Sequence, residues 1–268
     1  MDFLDSHCHI HSADYQLDLM QVIEDATSVG VKQLLCVGCD LADSQLAVGL
    51  ANKHENIWAT IGIHPHESDN YVHDHHALQQ FRDLASSPKV VAVGEAGLDY
   101  YYNHSTAENQ KKMLRFQMDL AKQHSLPMVF HIREAFDDFW QIFDEYSGIQ
   151  GVVHSFTAYT DQLDQILSRG LFVGLNGIVT FTKDPLQLKA IKSVPLDRLL
   201  LETDSPYLTP VPYRGTICQP KHLLETAKYL AGIRGETLEQ LATATTKNSQ
   251  KLFLADTIKK LWLLQTLQ

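Results

Sequence analysis

Short, nearly continuous apolar runs alternate along this chain with longer stretches in which apolar residues return every three or four positions. The runs are Phe3 to His7, Gln33 to Cys36 continuing into VGCD, Ile57 to His64, Val90 to Glu95, Pro127 to His131, Gly151 to His154, Leu171 to Asn176 and Leu199 to Asp204. They are rich in Val, Ile and Leu, which predicts strands buried on both faces, as in a parallel sheet. The intervening stretches, Asp18 to Val29, Ala42 to Lys53, Asp74 to Ala85, Thr106 to His124, Asp137 to Tyr146, Asp161 to Arg169 and Pro185 to Lys192, have helical periodicity. Lys221 to Ile233 and Leu238 to Phe253 follow the last run in the same way, and Gly30 and Gly170 are placed to end their helices as C-caps.

Eight strand–helix units in 268 residues predict an α/β fold, a single closed (β/α)8 TIM-like barrel, an architecture that takes about 250 residues. The expected organisation is one domain, residues 1–268, without linker, low-complexity segment or internal repeat beyond the alternation itself.

Composition fits a globular enzyme with a large core: 44% hydrophobic and 20% charged residues. No apolar run reaches the ~18 residues of a membrane span. The N-terminus carries Asp2 and Asp5 where a secretory leader has basic and then apolar residues. A cytoplasmic monomer with no obligate protein partner is therefore expected. The net charge of −10 argues against a protein that coats nucleic acid with a wide basic surface. It does not argue against a metalloenzyme, because two divalent cations supply positive charge locally.

Active sites of such barrels lie at the C-terminal ends of the strands. His7 and His9 end the first run, Glu95 the fourth, His131 the fifth, His154 the sixth and Asp204 the eighth. Strand side chains alternate with period 2, so His7 and His9 are expected to face one side and Cys8 the other. Neutral imidazole is the commonest protein metal ligand. These six residues would converge on the barrel axis and hold two ions with a bridging carboxylate, leaving positions open for water and substrate. The plainer alternatives are hydrogen-bonded core histidines for His131 and His154, and a structural ion pair for Glu95 and Asp204. Of the other histidines, His73, His75 and His76 fall in a polar stretch, and His54, His104 and His124 in or beside exposed segments.

Cys36 and Cys39 have C-x-x-C spacing. Residues three apart on a strand face opposite sides, and Cys36 lacks the helix N-terminus that a thioredoxin-like pair needs. Neither a redox nor a zinc role is expected for them.

At the strand-end residues the chain resembles the TatD family of metal-dependent deoxyribonucleases, within the amidohydrolase superfamily. The resemblance rests on FLDSHCHI at the start, GIHPH at Gly62 to His66, VGEAGLDYY at Val93 to Tyr101, FHIREA at Phe130 to Ala135, VVHSF at Val152 to Phe156, GLNGIVTF at Gly174 to Phe181 and LLLETDSPYLTP at Leu199 to Pro210. By this resemblance His7, His9 and Asp204 would hold one metal, His131 and His154 the other, and Glu95 would bridge them. The implied activity is hydrolysis of phosphodiester bonds by a metal-activated water, exonucleolytic on single-stranded or frayed DNA ends. DNA or an oligonucleotide would be the substrate, and Asp204 the proton acceptor. Four imidazoles suit Zn or Mn, whereas Mg prefers oxygen ligands.

Arg133, Arg214 and His66 are the candidates for holding phosphate oxygens. Arg133 has a salt bridge to a neighbouring helix as its structural alternative, and His66, after Pro65, is expected at the rim. The family often shows a stretch like RGK-x-NEP after the eighth strand. This chain has Arg214-Gly215-Thr216-Ile217-Cys218-Gln219-Pro220, so the arginine is kept and the lysine and Asn-Glu pair are not. Two other classes stay open at this stage: an amidohydrolase acting on a C–N or lactone bond, which a bridging carboxylated lysine would favour, and a metal-containing interaction protein without turnover, which a lost ligand would favour.

Overall fold

The computed structural model describes residues 1–102 and 104–255. Eight strands form one parallel sheet in which every strand pairs with its successor in sequence. They are β1 (Phe3–Cys8), β2 (Val31–Val37), β3 (Ile57–Ile61), β4 (Val90–Asp99), β5 (Met128–Arg133), β6 (Gly151–Val153), β7 (Phe172–Leu175) and β8 (Leu199–Leu201). The helices are α1 (Leu19–Ser28), α2 (Leu41–Ala51), α3 (Ser68–Tyr71), α4 (His75–Leu84), α5 (Ala107–His124), α6 (Phe136–Phe143), α7 (Thr160–Ser168), α8 (Pro185–Ser193), α9 (Leu223–Arg234) and α10 (Leu238–Phe253). The architecture is the (β/α)8 barrel that the alternation predicts. The one-turn helix α3 has no counterpart in the periodicity, being too short to show any. β4 runs four residues beyond Glu95, to Asp99.

Helix starts follow local chemistry. Asp18, Asp40, Asp74, Thr106 and Asp184 each accept a backbone N–H of the first turn of the helix that follows, which satisfies donors the helix itself cannot. Among the described residues, no helix is long and apolar enough to cross a membrane.

The strands separate two apolar layers. Leu34, Cys36, Ile57, Ala59, Ile61, Met128, Phe130, Val153, Val173, Leu199 and Leu201 face outward and pack against the helices. Leu4, Leu35, Val37, Val91, Val129, Val152, Phe172 and Leu200 fill the interior together with Leu252, Phe253 and Leu254 at the end of α10. The lower barrel is therefore an apolar plug, and the His, Asp and Glu side chains of the interior gather toward the opposite, C-terminal mouth.

Closure between β8 and β1 depends on polar contacts more than on a ladder. His9 N donates to Ser205 O at 2.7 Å and Asp204 N to His7 O at 2.8 Å. Ser6 Oγ donates to Leu201 O at 2.9 Å. The fully buried Asp5 accepts from Thr203 N at 2.9 Å and His7 N at 3.3 Å through one oxygen, and its other oxygen lies 2.5 Å from Thr203 Oγ1. Burial pushes the Asp5 carboxyl up to about 8, against the lowering effect of the Thr203 hydrogen bonds. The protonated acid thus dominates at neutral pH and can share a hydrogen with Thr203.

Removing this group orphans two buried N–H donors, at a cost of about 1–3 kcal/mol each. Asp5→Ala should therefore lower the urea-unfolding free energy by about 2 kcal/mol or more, while the isosteric Asp5→Asn stays near wild type. The folded-state pKa exceeds the ordinary Asp value of about 4, so the native state holds a proton that the unfolded chain has lost. Wild-type stability must then fall as pH rises between about 4 and 8, and Asp5→Asn should abolish that part of the slope. An unchanged slope would show that Asp5 does not carry it.

Candidate metal centre

Period-2 alternation decides what reaches the mouth. On β5, Val129 lies in the interior plug, and His131, two residues on, faces the same side one step higher. The same step leads from Val152 to His154 past the end of β6, and from Leu200 to Glu202 and Asp204 past the end of β8. Gly174 occupies this level on β7; a Cβ there would come within 2.3 Å of Glu202 Oε2, so its absence makes room for the carboxylate. Gly97 lets β4 approach β5, because a Cβ there would lie 1.8 Å from His131 O. β1 is irregular. Leu4 packs inside and Cys8 outside although Cys8 is four positions on, and the register slips between Asp5 and Cys8. That slip turns His7 into the barrel.

The buried residues His7, His9, Glu95 and His154 converge with His131 and Asp204. His7 Nε2 lies 3.1 Å from His9 Nε2, 3.4 Å from Glu95 Oε2 and 3.7 Å from Asp204 Oδ1. His9 Nε2 lies 3.3 Å from Asp204 Oδ1. Glu95 Oε1 is 2.7 Å from both His131 Nδ1 and His154 Nε2. The two oxygens of Glu95 therefore address different halves of the imidazole set. All six residues named from the strand ends are brought together. The rings are held from behind: His9 Nδ1 is 2.7 Å from Val37 O, His131 Nε2 is 3.0 Å from Asp99 Oδ2, and the ring of His7 stacks on that of His154 at 4.1 Å.

Electrostatics matches this packing. Burial pushes His7 down to about 4, so its imidazole is neutral. Burial also opposes ionisation of Glu95, but His154, His64 and His131 outweigh it and hold that carboxyl well below its usual range. Asp204 is held low in the same way by His9 and His7. Burial raises Glu202 to about 7, against the pull of His154. Its Oε2, with Nδ1 of His7 and of His154, is a buried polar atom without a hydrogen-bond partner. Ring nitrogens and carboxylate oxygens brought within 4.8 Å of one another, as in His7–His9–Glu95 and His64–Glu95–His131, form a donor set that suits divalent cations.

The three rim candidates separate. His66 Nε2 lies 3.0 Å from Asp99 Oδ2, joining it to His131 through that carboxylate. Arg133 makes no salt bridge among the described residues; its Cζ lies 4.2 Å from the ring centroid of Tyr101 and 4.6 Å from that of Tyr102. Arg214 lies on the exposed loop after β8, over the Phe181 ring at 3.8 Å, with Nη1 donating to Thr209 O at 2.8 Å. Among the described residues, no contact joins Arg214 to the imidazole cluster.

Three further residues, not singled out from the sequence, belong to the cluster, and so does Cys39, for which no metal role is expected from the sequence. His64 Nε2 is 3.5 Å from Glu95 Oε1. Asp99 bonds His66 and His131, and Glu202 Oε1 is 3.8 Å from His154 Nδ1. Cys39 Sγ lies 3.8 Å from His9 Nδ1 and 3.9 Å from Glu95 Oε2, whereas Cys36 is buried against the helices. Behind His9, His11 Nε2 lies 3.2 Å from Asp43 Oδ2.

Residues 4–254 match the family model described as TatD related DNase. An uncharacterized metal-dependent hydrolase, YcfH of Escherichia coli (strain K12), is 36% identical over 262 residues, covering 96% of this chain and 97% of its own. The 3'-5' ssDNA/RNA exonuclease TatD of Citrobacter rodentium is 34% identical, covering 91% of this chain and 95% of its own. Among solved structures, YJJV, a TatD homolog from Escherichia coli K12, superposes with a TM-score of 0.87 at 27% identity, over 94% of this chain and 97% of that one. The match spans all eight strands and every residue of the cluster, and the chain belongs to the TatD related DNase family.

Proposed function

We propose that this protein is a metal-dependent phosphodiesterase of the TatD type, a single cytoplasmic hydrolase domain over residues 1–268 that trims single-stranded or frayed DNA ends. The observation that carries the reading is the division of Glu95: Oε2 toward His7, and Oε1 toward His131 and His154. A carboxylate addressed from two sides suits a bridge between two divalent ions, with His7, His9 and Asp204 completing one site and His131 and His154 the other. Mg, Mn and Zn are the candidate ions, two per chain. Among the described residues, no lysine contacts Glu95, so the arrangement that would favour C–N or lactone hydrolysis is missing. The exonuclease name carried by a relative of 34% identity supports a nucleic acid substrate.

Bound divalent ions would lower the pKa of water and offset the charge of the phosphodiester. The chain's own residues would do the rest. Asp204 Oδ1, near His7 and His9 and kept ionised by them, accepts the proton of the attacking water. Asp99 fixes the His131 ring at 3.0 Å and orients His66 toward the same side. Arg133 and His66 hold phosphate oxygens on the β4–β5 side, and Arg214 holds a more distant one. The packed plug below the cluster keeps water from reaching it from beneath.

Metal analysis after mild purification should find up to two divalent ions per chain in the wild type and fewer in Glu95→Gln and His7→Ala; full occupancy in both variants would overturn the ligand assignment. At saturating metal, Asp204→Asn should lower kcat on a short single strand by about 10²–10⁴-fold, the usual contribution of a general base. Activity within a few-fold of wild type would remove Asp204 from that role.

A further inference from the structure

The end of β4 carries an aromatic array that hydrolysis alone does not require. Asp99 pairs with Arg133 in the β4–β5 register, and Tyr100 N donates to Arg133 O at 3.0 Å. Tyr101 and Tyr102 therefore emerge beside the Arg133 guanidinium, which contacts both rings. The two rings meet edge to face, 4.8 Å apart at 90°. Both rings are about half exposed, 51% for Tyr101 and 50% for Tyr102, but Tyr102 also packs on His104 at 5.8 Å and His66 at 5.6 Å, contacts that Tyr101 does not share.

The arginines paired with carboxylates are Arg115, Arg169 and Arg234. Among the described residues, Arg133 is not so paired and keeps its N–H groups for another acceptor. Arg133 and His131 share one face of β5, two residues or about 6.6 Å of strand apart, and His131 lies 2.7 Å from Glu95. The array thus begins one strand step from the centre of the cluster.

We propose that Tyr101 is a nucleobase-stacking surface that seats an unpaired base next to the phosphate being cleaved, with Arg133 gripping the adjoining phosphate and Tyr102 bracing both. The proposal rests on the phosphodiesterase reading above and extends it to the substrate's bases. Every base presents a π-face, so stacking on tyrosine is tolerant of sequence. Inside a duplex both faces of a base are covered by its neighbours, so only an unpaired or terminal base can lie on Tyr101. The array therefore favours single strands and strand ends over the interior of a duplex. It also provides affinity that a chain of net charge −10 cannot draw from a basic surface.

The test compares binding of a short single-stranded oligonucleotide with that of the same strand carrying abasic residues at its end, by fluorescence anisotropy, for wild type, Tyr101→Leu and Tyr101→Phe. Wild type should bind the intact strand about 5- to 150-fold more tightly than the abasic one, the range that stacking of a base provides. Tyr101→Leu should collapse that ratio to about one, and Tyr101→Phe should restore it. A ratio near one in wild type, or one left unchanged by Tyr101→Leu, overturns the proposal. Turnover of a small diester without a nucleobase is measured alongside on wild type only. Its absence would count against the hydrolytic reading, and the binding ratios would still decide the role of Tyr101.

Discussion

Glu95 is an ionised carboxylate only 4% exposed at the top of a barrel whose lower half is hydrocarbon, and the rest of the mouth is arranged around this. An unpaired charge at that depth would cost several kcal/mol. Imidazoles from four strand ends surround it instead, His7, His64, His131 and His154, within 2.7 to 3.5 Å of one oxygen or the other. The same crowding that stabilises the carboxylate prevents all the rings from being charged, and His7 is neutral for that reason as well as through burial. The carboxylates of Glu95 and Asp204, both held ionised, and the neutral ring of His7 present lone pairs to one point, which suits cations.

The fold meets this demand by sorting residues by height. Along each strand every second residue faces inward and successive inward positions climb from the plug to the mouth, so a single two-residue step separates Val129 from His131, Val152 from His154 and Leu200 from Glu202. Closure of the barrel and construction of the site are one event at the β8–β1 seam. There the backbone of Asp204 donates to His7 O and that of His9 to Ser205 O, so the cluster residues His7, His9 and Asp204 are fixed relative to one another by main-chain bonds. Asp204 also adopts a left-handed backbone, φ 59°, which is costly for a residue with a side chain and is held by these contacts.

Much of this was legible in the sequence, because buried parallel strands are written as continuous apolar runs and the residue ending each run is the one at the mouth. That rule found His131, His154, Glu95 and Asp204. Parity, carried further, would have found more. From the inward-facing Thr60, steps of two lead through Gly62 to His64, and from Glu95 through Gly97 to Asp99. Stopping the fourth run at Glu95 hid Asp99, and the His-Pro-His segment drew attention to His66 at the expense of His64. The reversal of facing within β1 was not legible, since nothing in FLDSHCHI distinguishes a strand whose register slips from one that does not. Nor could the sequence show that Arg133 rests against tyrosine rings, because that contact depends on Asp99 pairing with Arg133 across two strands.

The bridging role proposed for Glu95 requires a cation site on each side of its carboxylate. Anomalous diffraction from crystals grown with Mn or Zn measures it most directly. Two peaks are expected, one on each side of the Glu95 carboxylate, about 3.5–4 Å apart, the first bounded by His7, His9 and Asp204 and the second by His131 and His154. A single peak on the His9–His11–Asp43 group, or two peaks with Glu95 touching neither, would contradict it.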